Sequence, residues 1–227
     1  MNDNTKIAGK KTVRDWKEIK IKLQEDFENV EIWEEAYKDF LQKRITSRYL
    51  EPIRAINGIS KYLGKGFSIV SICCSLIEFF HTLKLGYDFN HPNYSDSTNT
   101  LVRSTRNQHD NGTFKPLRNK EIFIDFLTMS LPFSNSFNEQ LADEFYTKVR
   151  CGMLHQAETK DNWIIVDGKS ETSMLNQNQQ TDIIKLFRRP FEKGFAQYME
   201  NYKAELISSD ATKRAFIFKF NKICQIN

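Results

Sequence analysis

The stretch GKGFSIVSICCSLIEFFHTLKLG, residues 64–86, decides the fold class. Apolar side chains surround it on almost every side at helical spacing, which is typical of a helix buried at the centre of a protein. Serines, a glutamate, a histidine and a threonine interrupt its longest apolar run, so we do not expect it to span a membrane. The rest of the chain must then supply elements that pack around a central helix.

The polar residues of this helix form one narrow stripe. Ser68, Ser71, Ser75, Glu78 and Thr82 follow one another at steps of three and four, which places them on one helix face. Their small hydroxyls would let a second helix approach closely, and a strip of solvent exposure explains the pattern equally well. If Glu78 is partly buried, it needs a cationic partner, because an unpaired buried carboxylate is costly.

The composition fits a mainly α protein. The chain has 227 residues, and its 18 Phe against nine Gly and five Pro favour a packed helical body over a turn-rich β fold. A net charge of +4 permits a polyanionic partner without requiring one, because affinity for nucleic acid depends on how the charge is clustered. We predict a flexible basic tail over residues 1–12 and a single domain over residues 13–227.

The cysteines and the first residues bear on cellular location. Cys73, Cys74, Cys151 and Cys224 have neither zinc-type spacing nor the pattern of a disulfide framework, and they read as buried thiols of a reducing compartment. The opening MNDNTKIAGKK is polar and lacks the features of a signal peptide. We therefore expect a cytoplasmic protein that uses no metal and no cofactor.

Helical periodicity recurs on both sides of the central helix. It predicts helices over residues 13–27, around 32–41, 119–130, 138–158 and 181–206. Residues 87–118 have few apolar anchors and are predicted to be a long loop insertion: a substrate-facing flap, a partner-binding loop or a disordered segment. Residues 163–176 predict a small β-hairpin turning at Asp167-Gly168, and RAFIFKFNKI near the end fits a strand or a short helix.

The helix predicted over residues 138–158 carries VRCGMLHQAETK, residues 149–160, with Arg150 five positions before His155. On an ideal helix, residues five apart are separated by about 140° and ~7.5 Å of rise. The two side chains therefore reach one phosphate only if the length of the arginine closes the gap or Gly152 loosens the helix. A surface ion pair and a histidine favoured by the helix C-terminus would otherwise explain them.

The order of segments around this pair resembles the HEPN superfamily (higher eukaryotes and prokaryotes nucleotide-binding). Its signature is an arginine, four to six residues, then a histidine, as in Arg150-Cys-Gly-Met-Leu-His155. GKGFSIVSICCSLIEFF, a loop and FYTKVRCGMLHQAETKDNW are similar to uncharacterised bacterial HEPN-like proteins over roughly residues 48–166. The resemblance implies a HEPN-like helical bundle, a homodimer and metal-independent cleavage of RNA. It also suggests a toxin–antitoxin or defence role, with a cognate antitoxin or regulator as partner.

The residue types suit such a reaction. Attack of a ribose 2′-OH on the adjacent phosphate needs a base and an acid, and histidine serves as both because its ordinary pKa lies near working pH. Arginine supplies paired donors for the phosphate oxygens as negative charge builds up. By the resemblance, Arg150 and His155 are catalytic and Glu78 orients one of them. A two-fold dimer would supply the second histidine.

Other interpretations stay open. Arg103, Arg106, Lys148 and Lys160 are weaker candidates for contacts to the substrate. The alternative to a nuclease is a non-catalytic HEPN-like module that binds a nucleotide, RNA or a protein partner. Cys151 favours this alternative, because many active HEPN proteins have Asn, Asp or His directly after the arginine, and so does the modest net charge. A structural helical protein that dimerises through the serine stripe is a third interpretation.

Overall fold

The computed structural model is mainly α with small strand pairs, as the sequence predicts, and 61 % of it is helical. It describes residues 1–60, 63–90, 93–103, 106 and 108–226. The chain divides into two compact units: unit 1 comprises Met1–Ala55, Thr82–Val102 and Met199–Asn227, and unit 2 comprises Ile56–His81 and Arg103–Tyr198. Because both units are assembled from separate segments, no shift in composition along the chain marks the boundary.

The first residues of unit 1 form a β-hairpin where the sequence predicts a flexible tail. Strand β1 (Lys6–Ala8) pairs antiparallel with β2 (Lys11–Thr12). Ile7 and Ala8 are buried, and Gly9 turns the chain with a φ of +54°, which glycine adopts without strain. Two buried apolar side chains thus anchor a segment whose polar composition suggested none.

The helices of unit 1 pack through aromatic rings. Helix α1 (Val13–Glu25) begins at a capping box of Thr12 and Asp15. A continuous helical stretch follows, made of α2 (Val30–Ala36), a π-helical turn (Tyr37–Gln42), α3 (Lys43–Ile45), a second π-helical turn (Thr46–Leu50) and α4 (Glu51–Gly58). Trp16 of α1 contacts Phe40 and Phe220, with ring centroids 5.3 and 5.0 Å apart. Phe220 belongs to α10 (Asp210–Cys224), so RAFIFKFNKI is helical.

The predicted loop over residues 87–118 is partly ordered as strands. Strand β3 (Asp88–Asn90) pairs antiparallel with β4 (Asn93–Ser95), and Tyr94 is buried. The backbone carbonyl of Tyr87 accepts a hydrogen bond from Lys219 Nζ at 3.0 Å, which fixes the start of this segment to α10. Positions 91, 92, 104, 105 and 107, and with them His91, lie outside the described residues.

Unit 2 is built around the predicted central helix, α5 (Lys65–Leu85). The other helices are α6 (Asn119–Met129), a 3₁₀ turn (Phe133–Asn135), α7 (Glu139–Glu144), a π-helical turn (Phe145–Arg150), α8 (Cys151–Gln156) and α9 (Arg188–Ser208). Phe80, Phe126, Phe133 and Phe195 pack together at centroid distances from 4.8 to 6.3 Å. α7, the π-helical turn and α8 form one uninterrupted helix, as predicted over residues 138–158. α4, α5 and α9 each contribute residues to both units.

Among the described residues, α5 is the one helix long and apolar enough to cross a membrane by length and composition. Its side chains Ile69, Val70, Leu76, Ile77 and Phe80 are fully buried. A core helix that is apolar all round satisfies the same criteria.

A three-stranded sheet in unit 2 replaces the predicted hairpin over residues 163–176. Strand β7 (Ile184–Phe187) lies in the middle, parallel to β5 (Trp163–Val166) and antiparallel to β6 (Leu175–Gln177). The predicted pairing is therefore wrong, although a strand exists on each side of the Asp167-Gly168 turn. Both outer strands pair with β7, which offers a backbone edge to each of them.

The helix predicted over residues 181–206 begins only at Arg188. Ile184 and Leu186 point into the core from β7, and this alternation is compatible with a strand as well as with a helix. Pairing with β5 and β6 selects the strand. Local periodicity alone does not contain that information.

Candidate functional site

Arg150 and Glu78 line the same cavity in unit 2. The cavity has a volume of about 310 Å³ and lies between α5 and α8. Its other lining residues are Ser71, Cys74, Ser75, Phe123, Met153 and Leu154. The fold thus brings Arg150, one of the two predicted catalytic residues, to the same cavity as Glu78, the predicted supporting residue, although the two lie far apart along the chain.

Arg150 is the last residue of the π-helical turn Phe145–Arg150. Such turns insert an extra residue into a helix and are frequent at functional sites. Val149 is buried and anchors this turn. The Arg150 guanidinium lies 5.4 Å from the Tyr146 ring centroid, and its Nη1 is 4.0 Å from Cys151 Sγ. Stacking on a ring holds the cation in place while leaving its N–H groups able to bind an anion.

Glu78 belongs to the polar stripe of α5. The serines of this stripe are exposed to solvent, and Ser71, Ser75 and Glu78 form one wall of the cavity. Ser68, Ser71 and Ser75 are exposed, whereas Glu78 is half-buried. The side-chain amide of Asn119 donates a hydrogen bond from Nδ2 to Glu78 Oε2 at 3.4 Å. The carboxylate is therefore held from α6 while facing the cavity.

Neighbouring groups of the cavity are neutral at pH 7. Burial raises the pKa of the Cys74 thiol to about 12, with the Arg150 cation opposing the shift and the Glu78 charge adding to it. Burial also raises the pKa of Tyr146, and the Arg150 cation again opposes the shift. Arg150 and Glu78 therefore supply the charges of this cavity, and Cys74 is not activated as a thiolate nucleophile.

His155 is exposed in the last turn of α8, and the described lining of the cavity does not include it. The helix ends at Ala157, which has a left-handed φ of +55°. Residues 151–156 are regular α-helix, so the angle that separates positions five apart is kept. Within one chain, Arg150 faces the cavity and His155 faces the adjacent surface.

Gly152 permits a close contact rather than loosening the helix. An ideal Cβ at this position would lie 2.5 Å from the backbone oxygen of Glu158 and 3.2 Å from Lys160 Cγ. The backbone N–H of Lys160 donates to the carbonyl of Lys148 at 2.9 Å. The segment after α8 thus folds back onto the helix beside Gly152.

The weaker substrate candidates near the motif have partners within the protein. Lys148 Nζ lies 3.3 Å from a Glu144 oxygen and 3.7 Å from an Asp161 oxygen. Lys160 is half-buried and packs over Gly152 through its stem. Neither lysine lines the cavity of Arg150 in the described structure.

The two arginines of the loop lie elsewhere in unit 2. Arg106 forms ion pairs with Asp125 and Glu139, and the distance to Glu139 Oε1 is 2.5 Å. Arg103 lies over the Phe114 ring, 5.4 Å from its centroid. The described contacts of Arg106 tie the loop to α6 and α7.

Sequence reasoning missed the apolar part of the site, which Phe123, Met153 and Leu154 form. Met153 and Leu154 lie inside the motif itself, between Arg150 and His155. The contact of Tyr146 with Arg150 could also have been predicted from the sequence, because residues four apart are neighbours on a helix surface. Phe123 had no local signal, because α6 reaches the cavity only through tertiary packing.

No known family model, curated protein or solved structure matches this chain. The described residues contain no group of three or more His, Cys, Asp and Glu side chains that could hold a metal ion. A function for the chain must therefore be argued from the chemistry of the cavity and its surroundings.

Proposed function

We propose that this chain is a metal-independent endoribonuclease of the HEPN type, in which Arg150 binds the scissile phosphate and His155 transfers protons. The observation that carries the proposal is the shared cavity of Arg150 and Glu78. The cavity is lined by a half-buried arginine, whose guanidinium lies over the Tyr146 ring, and by a half-buried glutamate. Such a cation suits an anionic ligand that loses part of its water on binding.

The proposed reaction breaks the P–O5′ bond. The ribose 2′-oxygen attacks the adjacent phosphorus while an imidazole nitrogen of His155 accepts the hydroxyl proton. Arg150 donates hydrogen bonds to the non-bridging oxygens, which gain negative charge in the transition state. The 5′-oxygen leaves and takes up a proton. The products are a 2′,3′-cyclic phosphate and a 5′-hydroxyl, and Glu78 would keep Arg150 aligned.

A two-fold dimer completes this scheme. His155 is exposed next to the cavity rather than inside it. A second copy that approaches the α8 face would add its own histidine, so that one imidazole removes the 2′-proton and the other protonates the leaving oxygen. The exposed side chain of Leu154 beside His155 provides apolar area for such a contact.

Two observations favour the second candidate, a non-catalytic module that binds RNA or a nucleotide. The side chain after Arg150 is the thiol of Cys151, and the described cavity lacks His155. In this alternative Arg150 binds phosphate but no group removes the 2′-proton. Both candidates predict binding that depends on Arg150, and they differ in cleavage.

Cleavage of a labelled single-stranded RNA in EDTA separates them. We expect wild type to leave cyclic-phosphate ends, Arg150→Ala to lose about 10²–10³-fold in rate, and His155→Ala to lose about 10²–10⁴-fold. Arg54→Ala and His109→Ala are matched controls, because both side chains are exposed outside the cavity. Equal rates for all five proteins, or no cleavage by wild type, would reject the nuclease.

A further inference from the structure

Unit 1 contains a cavity of its own, with a volume of about 850 Å³, whose lining does not include Arg150. We propose that this cavity binds a single strand of RNA, with its cations on the phosphates and its phenylalanine rings against the bases. The inference rests on the proposed function only in taking RNA as the ligand of this protein. It holds for a nuclease and for a binding module alike.

One face of α10 lines this cavity with a cation–aromatic row. Arg214, Phe218 and Lys222 follow one another at intervals of four residues, which places them in line along the helix. At 1.5 Å of rise per residue, the row extends over about 12 Å. Ile217 and Asn221 lie on the same face. A strand that alternates phosphates and bases can contact such a row with both of its parts.

Each cation of the row lies against an aromatic ring. The Arg214 guanidinium carbon is 5.1 Å from the ring centroid of Phe27, which follows α1 and also lines the cavity. Lys222 Nζ is 5.4 Å from the ring centroid of Phe218. A ring holds a cation without neutralising it. Both rings are half-buried and the Arg214 side chain is 71 % exposed, so rings and guanidinium offer flat surfaces on which bases stack.

The charges at the cavity favour an anionic ligand. Its two carboxylates, Glu28 and Asp210, lie 3.1 and 3.7 Å from Nζ of the buried Lys213. Lys213, Arg214 and Lys222 therefore exceed these carboxylates by one positive charge. Within the part of the chain that the structure describes, Lys222 has no carboxylate within ion-pair distance. Lys222 is thus free to bind a phosphate.

Arg214 can also turn to a phosphate. Its guanidinium lies 3.8 Å from Asp210, and the two side chains are 71 % and 57 % exposed. Water screens such a pair, which contributes little to stability. A strand that brings a phosphate to Arg214 therefore gives up little when it displaces Asp210.

An acidic segment of a protein is the competing occupant, because it would bind the same two cations. RNA is favoured because it also supplies planar bases for the rings of Phe27 and Phe218 and for the guanidinium of Arg214. The two occupants differ in a measurable way. Stacking adds affinity that does not depend on salt, whereas ion contacts alone give affinity that does.

Fluorescence anisotropy with a labelled 2′-O-methyl oligouridine of about 12 nucleotides tests the inference. This probe has no 2′-OH to attack, so binding is measured without cleavage. We expect Arg214→Gln and Lys222→Gln each to reduce the slope of log affinity against log salt concentration by about 0.7, the value for one phosphate contact on a single strand. Arg54→Gln and Lys10→Gln are matched controls, because both side chains are exposed in unit 1 outside the cavity, and they should keep the wild-type slope.

Stacking is tested by Phe218→Ala. It should weaken binding by about 5- to 100-fold and leave the slope unchanged, because it removes a ring and no charge. Thermal unfolding shows whether this variant is folded, and if it is not, the slopes of the two charge variants decide. An oligoglutamate of equal charge should compete at least about tenfold less well than unlabelled oligouridine. Equal competition, no binding by wild type, or wild-type slopes in both charge variants would overturn the inference.

Arg150→Ala keeps the two proposals distinguishable. Binding that is lost in Arg150→Ala and unchanged in Arg214→Gln and Lys222→Gln would retain the proposed function and reject the cavity of unit 1. Binding that depends on Arg214 and Lys222, without cleavage of unmodified RNA, would retain this cavity and reject the nuclease.

Discussion

Two arginines of unit 2, Arg150 and Arg188, occupy similar places in the chain and very different surroundings. Each stands at the start of a helix, Arg150 directly before α8 and Arg188 as the first residue of α9. Arg188 is 2 % exposed, pairs with Asp167 and Glu192, and donates from Nη1 to Asn57 Oδ1. Arg150 is half-buried and lies over the Tyr146 ring.

The difference shows what each cation can do. Burial lowers the pKa of Arg188 and raises the pKa of its neighbour Glu192, so both charges are costly. Arg188 depends on Glu192 and Asp167, and Glu192 depends on Arg188 and Arg189. A cation with two carboxylate partners has little left for a ligand. Arg150 is held by a ring face, which does not neutralise it. We therefore assign a structural role to Arg188, and the surroundings of Arg150 are compatible with the binding role proposed for it.

Among the substitutions considered, we expect the largest change in the free energy of unfolding when Arg188 is replaced, and a much smaller change when Arg150 is replaced. Arg188→Met leaves Asp167 and Glu192 without their buried partner and should lower the free energy of unfolding by about 3–5 kcal/mol. Arg150→Met, the matched control, should lower it by less than about 1 kcal/mol. Urea denaturation at pH 7 measures both. Similar losses in the two variants would break the distinction between a structural and a binding arginine.

A glycine substitution examines how tightly the helix of Arg150 is packed. Gly152→Ala puts a methyl group against the Glu158 carbonyl and should lower the free energy of unfolding by about 1–3 kcal/mol. Gly58→Ala is the control, since an added Cβ in α4 meets nothing within 4 Å and its effect should be neutral or stabilising by up to about 1 kcal/mol. Thermal unfolding compares the two. A neutral Gly152→Ala would show that the segment after α8 packs loosely.

The smallest effect concerns Glu144, which fixes the same helix to β5. Burial alone would raise the pKa of Glu144, but hydrogen bonds from Trp163, Gln140 and Lys148 outweigh it and lower the pKa. A carboxylate with a lowered pKa stabilises the fold above its unfolded pKa of about 4.3 and loses this contribution as pH falls through the folded value. Glu144→Gln should therefore cost about 1 kcal/mol at pH 7.

The test of Glu144 is the pH dependence of that cost. Unfolding curves of wild type and Glu144→Gln should differ at pH 7 and converge below about pH 4. Glu158→Gln, which changes an exposed carboxylate, serves as the control. A difference that stays constant from pH 7 to pH 3 would mean that the charge of Glu144 contributes nothing.

The sequence predicts those helices and strands that are determined by their own residue pattern. Apolar residues on every side of residues 64–86 predict the central helix, and α5 occupies Lys65–Leu85. Strand β7 was hidden, because its side chains also fit the start of a helix and only pairing with β5, about twenty residues earlier, distinguishes the two. The N-terminal hairpin was hidden for a related reason, since its anchors are two small or medium side chains in a polar segment.

The candidate site divides in the same way. The polar stripe on α5 indicated Glu78, and the motif on the later helix indicated Arg150. Tertiary packing brings both side chains to the same cavity. Nothing local indicated that Phe123 would complete it. The spacing of Arg150 and His155 indicated that they diverge on a helix, and the structure keeps that divergence. The assignment of a ribonuclease remains a proposal that the cleavage assay tests.

The interleaving of the two units has a consequence for synthesis on the ribosome. Chains are made from the N-terminus, and domains generally fold as their segments emerge. Unit 2 has all of its segments once Tyr198 has been made, whereas unit 1, which begins first, still lacks α10 and the end of α9. The residues of α1, including the buried Trp16, must therefore wait for α10 before their core can close.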